Sequence, residues 1–301
     1  MTAEPLAVEE HRAHLLAIGY RLTGSRADAE DAVQDAWLRW DRLGPDGRAQ
    51  VRDTRAWLAT TVGRLCLDRV RSAPARRERY VGPWLPEPLV TTGPDDVLDA
   101  VVAREDVRIA ALLVLERLSP DQRVAFVLHD TAGVGFDDVA DVLGCTTPTA
   151  RQLASRARKT VGAAADAGDL PDAVPEPEQR RVLDALVAAL AAGDVPALVA
   201  VLHPDAALRT DGGGIVKAAR RVVVGADKIA RFLVALVAEA GPEMLAGARP
   251  VLVNGEAGLL VPTDPTGPAP IVVALTVDGD RVRAVHAVMT PEKLSPGPAP
   301  T

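Results

Sequence analysis

The sequence predicts a multidomain protein: two all-α domains in its first half, then an α+β domain, joined by proline-rich breaks. Three observations carry this. Apolar residues recur at helical spacing over 5–75 and again over 100–161. Prolines and glycines interrupt the pattern at 73–100 (Pro74, Pro83, Pro86, Pro88, Pro94) and at 162–178, where a continuous helix is not sustained. Beyond 178, helical segments alternate with β-branched runs that end in Gly-containing turns. At 301 residues and 48% apolar, the chain can bury two or three separate cores.

In the first helical stretch, Ser25 with Asp28 three residues on marks a helix start, and Ala29, Ala32, Val33, Ala36, Trp37 and Trp40 form its inward stripe. The opposite face shows Asp31, Gln34, Asp35 and Leu38. Gly44–Gly47 reads as a loop. Trp57, Leu58, Thr61, Val62, Leu65, Leu67 and Val70 then mark a second helix that runs into a cluster of arginines. Within the first break, Trp84-Leu85-Pro86-Glu87-Pro88-Leu89 is an apolar hexapeptide in polar surroundings, which predicts a linker that docks on something. Ser119-Pro120-Asp121-Gln122 supplies an N-cap, a proline at the first helical position and Gln at N3.

Phe136–Leu143, Gly144 and a segment from Thr147 to about Val161 read as helix, turn, helix, the signature of a helix-turn-helix. The last of these sorts by face: Ala150, Leu153, Ala154, Ala157 and Val161 on one side; Pro148, Arg151, Gln152, Ser155, Arg158 and Lys159 on the other. Its length of roughly 22 Å suits a major groove. In the last domain, helices are expected over 181–192, 196–202 and 226–239. Strands are expected over 206–210, 215–224, 251–253, 258–261, 271–277 and 282–289, with Asp278-Gly279 as a hairpin turn.

The net charge of −7 argues against a general polyanion binder, but it is unevenly spread. Arg64, Arg69, Arg71, Arg76, Arg77 and Arg79 crowd one segment, and Arg151, Arg156, Arg158 and Lys159 another, which predicts two small DNA contacts. Cys66 and Cys145 lie far apart with no CxxC pair, so neither a zinc site nor a disulfide framework is expected, and nothing implies a cofactor. No apolar run reaches the ~20 residues of a membrane span, and the acidic N-terminus is unlike a signal peptide; a cytoplasmic protein without membrane contact is expected.

On these residues the chain resembles a known family. Asp28-Ala29-Glu30-Asp31-Ala32-Val33-Gln34-Asp35-Ala36-Trp37 is similar to the core-polymerase-binding helix of sigma-70 factors, Arg55–Ser72 to their promoter −10 region, and 119–161 to the region that reads the −35 element. Two such regions with only a linker between them resemble the extracytoplasmic-function (ECF) type. The WLPEPL linker, the Asp211-Gly212-Gly213-Gly214 turn and a C-terminal SnoaL/NTF2-like domain resemble the SigJ-like group, although Thr290-Pro291-Glu292-Lys293-Leu294 stands where that group tends to have Asn-Pro-Asp-Lys-Leu.

The resemblance implies region 2 at 5–75, a linker at 76–100, region 4 at 101–165 and the SnoaL/NTF2-like domain at 177–294. It implies core RNA polymerase (β′ and β subunits) and promoter DNA as partners, and no enzyme activity. Asp31, Gln34, Asp35 and Leu38 are then expected on polymerase. Arg52, Asp53, Arg64, Arg69, Arg71 and Arg76 are expected at the −10 element, with the loop 48–54 capturing a flipped base. Pro148, Thr149, Arg151, Gln152, Ser155, Arg158 and Lys159 are expected at the −35 element. Trp84, Leu85, Pro86, Glu87 and Pro88 are expected to meet Asp211, Gly212, Gly213 and Gly214, so that the last domain acts in cis on the linker.

Besides a ligand-sensing pocket in the last domain that changes the linker contact, two rivals remain at this point. One is a helix-turn-helix repressor, which leaves the helix at 28–40 unexplained. The other is a fused enzyme using His203, Asp205 and Asp211 as an acid–base set, although both tyrosines lie before residue 85 and no phenol donor is at hand in that domain.

Overall fold

The computed structural model describes residues 5–77, 80–91, 107–216, 218–241, 243–262 and 270–294. The acidic stretch 95–99, the start of the helix expected from 100 and the tail after 294 lie outside them. The chain groups into two compact units. The first comprises residues 1–78, 95–107 and 111–167; the second comprises 79–94, 108–110 and 168–301. No helix of the described residues is long and apolar enough to cross a membrane.

The first unit is all helix: α1 (Pro5–Thr23), α2 (Arg26–Arg42), α3 (Gly44–Ala49), α4 (Thr54–Arg77), α5 (Ile109–Leu115, its first turn grouped with the second unit), α6 (Pro120–Phe126), a π-helical turn (Val127–Thr131), α7 (Phe136–Leu143) and α8 (Thr147–Asp166). Ser25 caps α2 by accepting the Asp28 amide. Leu15, Leu16, Ile18 and Leu22 of α1 are fully buried, as are Ala29, Ala32, Val33 and Ala36 of α2 and Leu58 and Val62 of α4. Gly19 lets α1 and α2 approach closely, since a Cβ there would stand 3.0 Å from Ala29 Cα. Trp40 and Trp57 lean on each other with ring centroids 5.3 Å apart. The box at Ser119 and Gln122 closes in both directions, and Gly144 ends α7 in the left-handed conformation.

Three expectations for this unit are corrected. Gly44–Gly47 is not a loop but the start of α3, with Pro45 at its N-terminal end, where a missing N–H costs nothing. The second helix continues through Pro74 to Arg77, forgoing one backbone bond rather than breaking. The recognition helix runs past Gly162 to Asp166.

The second unit is α+β: β1 (Val90–Thr91), α9 (Glu176–Ala191), α10 (Val195–Val201), β2 (Leu202–Asp211), β3 (Val223–Val224), α11 (Ala226–Ala240), α12 (Glu243–Ala246), β4 (Arg249–Val253), β5 (Glu256–Val261), β6 (Ile271–Asp278), β7 (Arg281–Val288) and α13 (Pro291–Leu294). Among the described residues seven strands form one sheet in the order β1-β4-β5-β6-β7-β2-β3, antiparallel except where β2 runs parallel to β7. Helices α9, α10 and α11 cover one face, filled by Leu183, Leu186, Leu198, Ile229, Leu259, Leu275 and Val285. The expected strand 215–224 is corrected to Val223–Val224: Gly213 and Gly214 take positive φ, and the Ile215 and Val216 amides turn back to the Gly212 carbonyl.

In the first unit Arg123 is 4% exposed and donates to Glu116 Oε1 at 2.6 Å and to the Leu22 carbonyl at 3.1 Å. Burial pushes its guanidinium down to about 10. Arg123→Met should leave the Glu116 carboxylate without its cation and cost about 3–5 kcal/mol. Denaturant unfolding followed by tryptophan emission reads this, and Glu116→Leu in the same chain should restore most of the loss.

Candidate nucleic-acid interface and linker latch

The second unit is organised around one carboxylate. Asp211, at the end of β2, is fully buried. It accepts from Tyr80 Oη at 2.5 Å, the Leu85 amide at 2.8 Å, the Gly213 amide at 3.1 Å, Thr290 Oγ1 at 2.8 Å and Lys293 Nζ at 2.7 Å. Lys293 also donates to the Leu85 carbonyl at 2.5 Å and stands over the rings of Tyr80 and Trp84, 5.2 and 4.5 Å from their centroids. Four residues on, the Leu89 backbone makes two bonds with Asn254: its amide donates to the side-chain Asn254 Oδ1 at 3.0 Å and its carbonyl accepts the Asn254 amide at 2.8 Å. Val90 and Thr91 then pair with Val253 and Leu252, so the linker adds a strand to the sheet edge.

Of the residues expected here, Leu85, Pro86 and Pro88 are buried, Trp84 and Glu87 half-buried. Asp211, Leu85, Trp84 and Gly213 are brought together around the carboxylate. Gly214 instead lies beside Val81, where a Cβ would stand 3.1 Å from that side chain, and the Gly212 carbonyl closes the turn. Sequence reasoning missed Tyr80, Thr290, Lys293 and Asn254; the departure at Thr290 and the scarcity of lysine in this chain were the available signals. Thr290 fills its place in the group's motif with one hydroxyl on the buried carboxylate.

The acid–base set of the enzyme reading does not assemble. Asp211 is saturated by the donors above, and His203 lies at the other end of β2 with its Nδ1 2.8 Å from Arg283 Nη1. Arg283 also donates to the Gly168 carbonyl at 3.0 Å. The sheet's buried His286 is pushed down to about 3 by burial and then by Arg209, so it is neutral.

In the first unit, Asp31, Gln34, Asp35 and Leu38 are all exposed along α2, Leu38 at 47%. Arg69 reaches back to this helix, donating to the Asp28 carbonyl and pairing with Asp28 and Asp31. Arg71 pairs with Asp121 at 3.0 Å and approaches the Leu143 carbonyl. Arg52 and Arg64 are exposed; Arg76 lies in α4. Asp53 caps α4 by accepting the Ala56 amide at 3.0 Å, a structural duty. Arg48, at the end of α3, is turned onto the Trp40 carbonyl and Asp41, so within the expected base-capturing loop only 50–52 lie between α3 and the Asp53 cap.

On α8, Pro148, Thr149, Arg151, Gln152, Ser155, Arg158 and Lys159 are exposed, while Ala150, Ala154 and Ala157 are buried. Arg156 is also exposed and follows Gln152 by one turn, so it belongs with this face. Thr147 Oγ1 donates to Asp137 at 2.7 Å, and Arg158 pairs with Asp130 at 2.7 Å.

A helical unit with an exposed acidic helix, an arginine-bearing helix and a helix-turn-helix is the architecture of a promoter-recognition factor. The sigma-70 region 2 family matches residues 7–76 and the sigma-70 region 4 family residues 108–161. The chain belongs to the sigma-70 family, as an ECF RNA polymerase sigma factor. It is 49% identical over 299 residues to the ECF RNA polymerase sigma factor SigJ of Mycobacterium tuberculosis, covering 96% of this chain and 93% of that one. It is 34% identical to the probable ECF sigma factor SigI of the same species, over 95% and 93% of the two chains. The crystal structure of M. tuberculosis SigJ superposes with a TM-score of 0.78 at 45% identity, over 96% of this chain and 98% of that chain. The second unit accords with an α+β NTF2-like domain, and the family works as initiation factors, not enzymes.

The latch has a defined pH window. Burial alone would raise the Asp211 carboxyl; the Lys293 ammonium, its hydrogen bond and those of Tyr80 and Leu85 outweigh this and hold it below the usual carboxylate range. Its stabilisation is complete above the unfolded value of about 3.9 and is lost as pH falls through the lower folded value. Burial, then the bond to Asp211, pushes the Tyr80 phenol up, so its share is complete below about 10 and lost only as pH rises past that. Hydrogen-exchange protection of the Leu85 amide should therefore stay flat from about pH 5 to 9. Acidification below about 4 should lower it ahead of that of Leu89, whose partner Asn254 does not titrate.

Proposed function

We propose that this sigma factor directs initiation in the cytoplasm through three surfaces of its first unit, and that its second unit sets their use in cis by holding the linker. Asp31, Gln34, Asp35 and Leu38 bind core polymerase, with the β′ and β subunits as partners. Arg52, Arg64 and Arg76, with Arg69 and Arg71 when released from their acids, hold phosphates around the −10 element; such contacts position without specifying sequence. Arg151, Gln152 and Ser155 reach base edges at the −35 element, while Arg158 and Lys159 hold phosphate.

The single observation that carries the cis reading is the capture of linker atoms by Asp211. The carboxylate takes the Leu85 amide and the Tyr80 hydroxyl, and Lys293 takes the Leu85 carbonyl. A linker fixed at 80–91 has no slack there. Released, those residues could span any distance up to roughly 40 Å.

Run-off transcription with core polymerase tests the reading, using full-length protein and its Lys293→Met variant on promoters that differ only in the spacer between −35 and −10 elements. Losing the cation from a buried carboxylate costs about 3–5 kcal/mol, enough to free the linker. The variant should initiate over a wider range of spacer lengths than the parent. An identical spacer profile, with exchange data showing the linker freed, would sink cis control while leaving the sigma activity intact.

A further inference from the structure

Arg151 does not stand alone on the recognition helix. Its guanidinium lies over the ring of Phe136, 5.6 Å from the centroid. On Phe136 lies the imidazole of His129, stacked at 3.6 Å and 25°. His129 is in turn fixed by its Nδ1–H, which donates to the Val134 carbonyl at 2.8 Å. The ring reaches this place because the chain leaves α6 through the π-helical turn Val127–Thr131, pinned by Thr131 Oγ1 on the Val127 carbonyl and closed at Gly133 with φ +73°. Single π turns of this kind inside α-helices recur at functional sites. The same turn sets Asp130 against Arg158.

We propose that His129 and Phe136 are positioning residues for −35 readout, holding Arg151 as a preorganised reader of a guanine edge. A guanidinium held over a ring face by its charge keeps N–H groups free for a partner, and the guanidinium fork is the donor pattern that matches guanine O6 and N7. Stacking also removes rotamer freedom before DNA arrives, so less is lost on binding. His129 and Phe136 are half-buried and Arg151 is exposed. This inference rests on Arg151 reaching a base, as proposed above.

The test is transcription by core polymerase with full-length protein on a promoter whose −35 positions are randomised, read by sequencing the transcribed templates. Arg151→Ala should erase the preference at one position, and that position should favour guanine. Phe136→Leu and His129→Ala should weaken the preference at that same position by about two- to five-fold, the range of an exposed cation–π contact. Phe136→Tyr, which keeps the stack, should restore it. If Phe136→Leu instead lowers output evenly at all positions, or Phe136→Tyr behaves like Phe136→Leu, the two residues are structural only and the inference is overturned. If Arg151→Ala changes no single position, Arg151 is not a base reader, and both this inference and the reading beneath it fall, whatever the Phe136 variants do.

Discussion

The second unit depends on a carboxylate that water does not reach. An isolated ion taken out of water costs several kcal/mol even after relaxation, and only a complete shell of donors makes that tolerable. For Asp211 the shell comes from three stretches of chain: Tyr80 and Leu85 from the linker, Gly213 from the adjoining turn, and Thr290 and Lys293 from α13 and its approach. None of the three satisfies the charge by itself. Undocking the linker strips two donors from the anion and one acceptor from the lysine, so partial release is penalised and the contact behaves as closed or open. An apolar contact of the same area would loosen gradually, because burial scales smoothly with area. The charged design costs net stability relative to a greasy one and gains a sharp transition.

The rest of the linker follows from that anchor. Once Leu85 is fixed, Pro86 and Pro88 keep the following backbone extended, and no N–H is lost where a bond is needed, since the bonded amides are those of Leu85 and Leu89. Asn254, in the left-handed conformation at φ 53° between β4 and β5, accepts the Leu89 amide and donates its own to the Leu89 carbonyl. That exchange sets the register in which Val90 and Thr91 meet Val253 and Leu252. An otherwise open edge of β4 is thereby covered, which also protects it from pairing with other chains.

Much of the fold was legible because its signals are local. Ser25 with Asp28, Ser119 with Gln122, Gly144 and Asp278-Gly279 each act within a few residues, and each is found where short-range chemistry puts it. What was not legible is of two kinds. Gly44–Gly47 and Pro74 are breakers by composition, yet helix ends accept proline at N1 and a long packed helix can absorb one missing bond. The run Ile215–Val224 is β-branched enough for a strand, but the preceding glycines turn it away from the sheet before it can pair. The latch itself was half visible: an apolar hexapeptide in a linker and an Asp-Gly-Gly-Gly turn are local patterns, whereas Tyr80, Thr290, Lys293 and Asn254 join it across 79 to 165 residues of chain and leave no periodic trace. Arg48, Arg69 and Asp53 show the same limit from the other side: the family resemblance marks them as candidates for nucleic acid, and only the fold shows their bonds to neighbouring backbone and acids.

Those internal pairings bear on how an acidic chain binds a polyanion. Arg69, Arg71 and Arg158 each hold an acidic partner of the same unit, at Asp28 and Asp31, Asp121 and Asp130. Partly exposed pairs of this kind are worth only about 0–1 kcal/mol. A phosphate offers a comparable contact and, in addition, releases condensed counterions, so it outcompetes a surface carboxylate at modest salt. On the proposed roles of these arginines, the acids would not block DNA; they would lower its non-specific affinity and raise the share of binding that must come from base edges and from polymerase. In a chain of net charge −7, that balance would favour engaging promoters as part of a larger assembly, because Arg69, Arg71 and Arg158 must each be won from an acid they already hold.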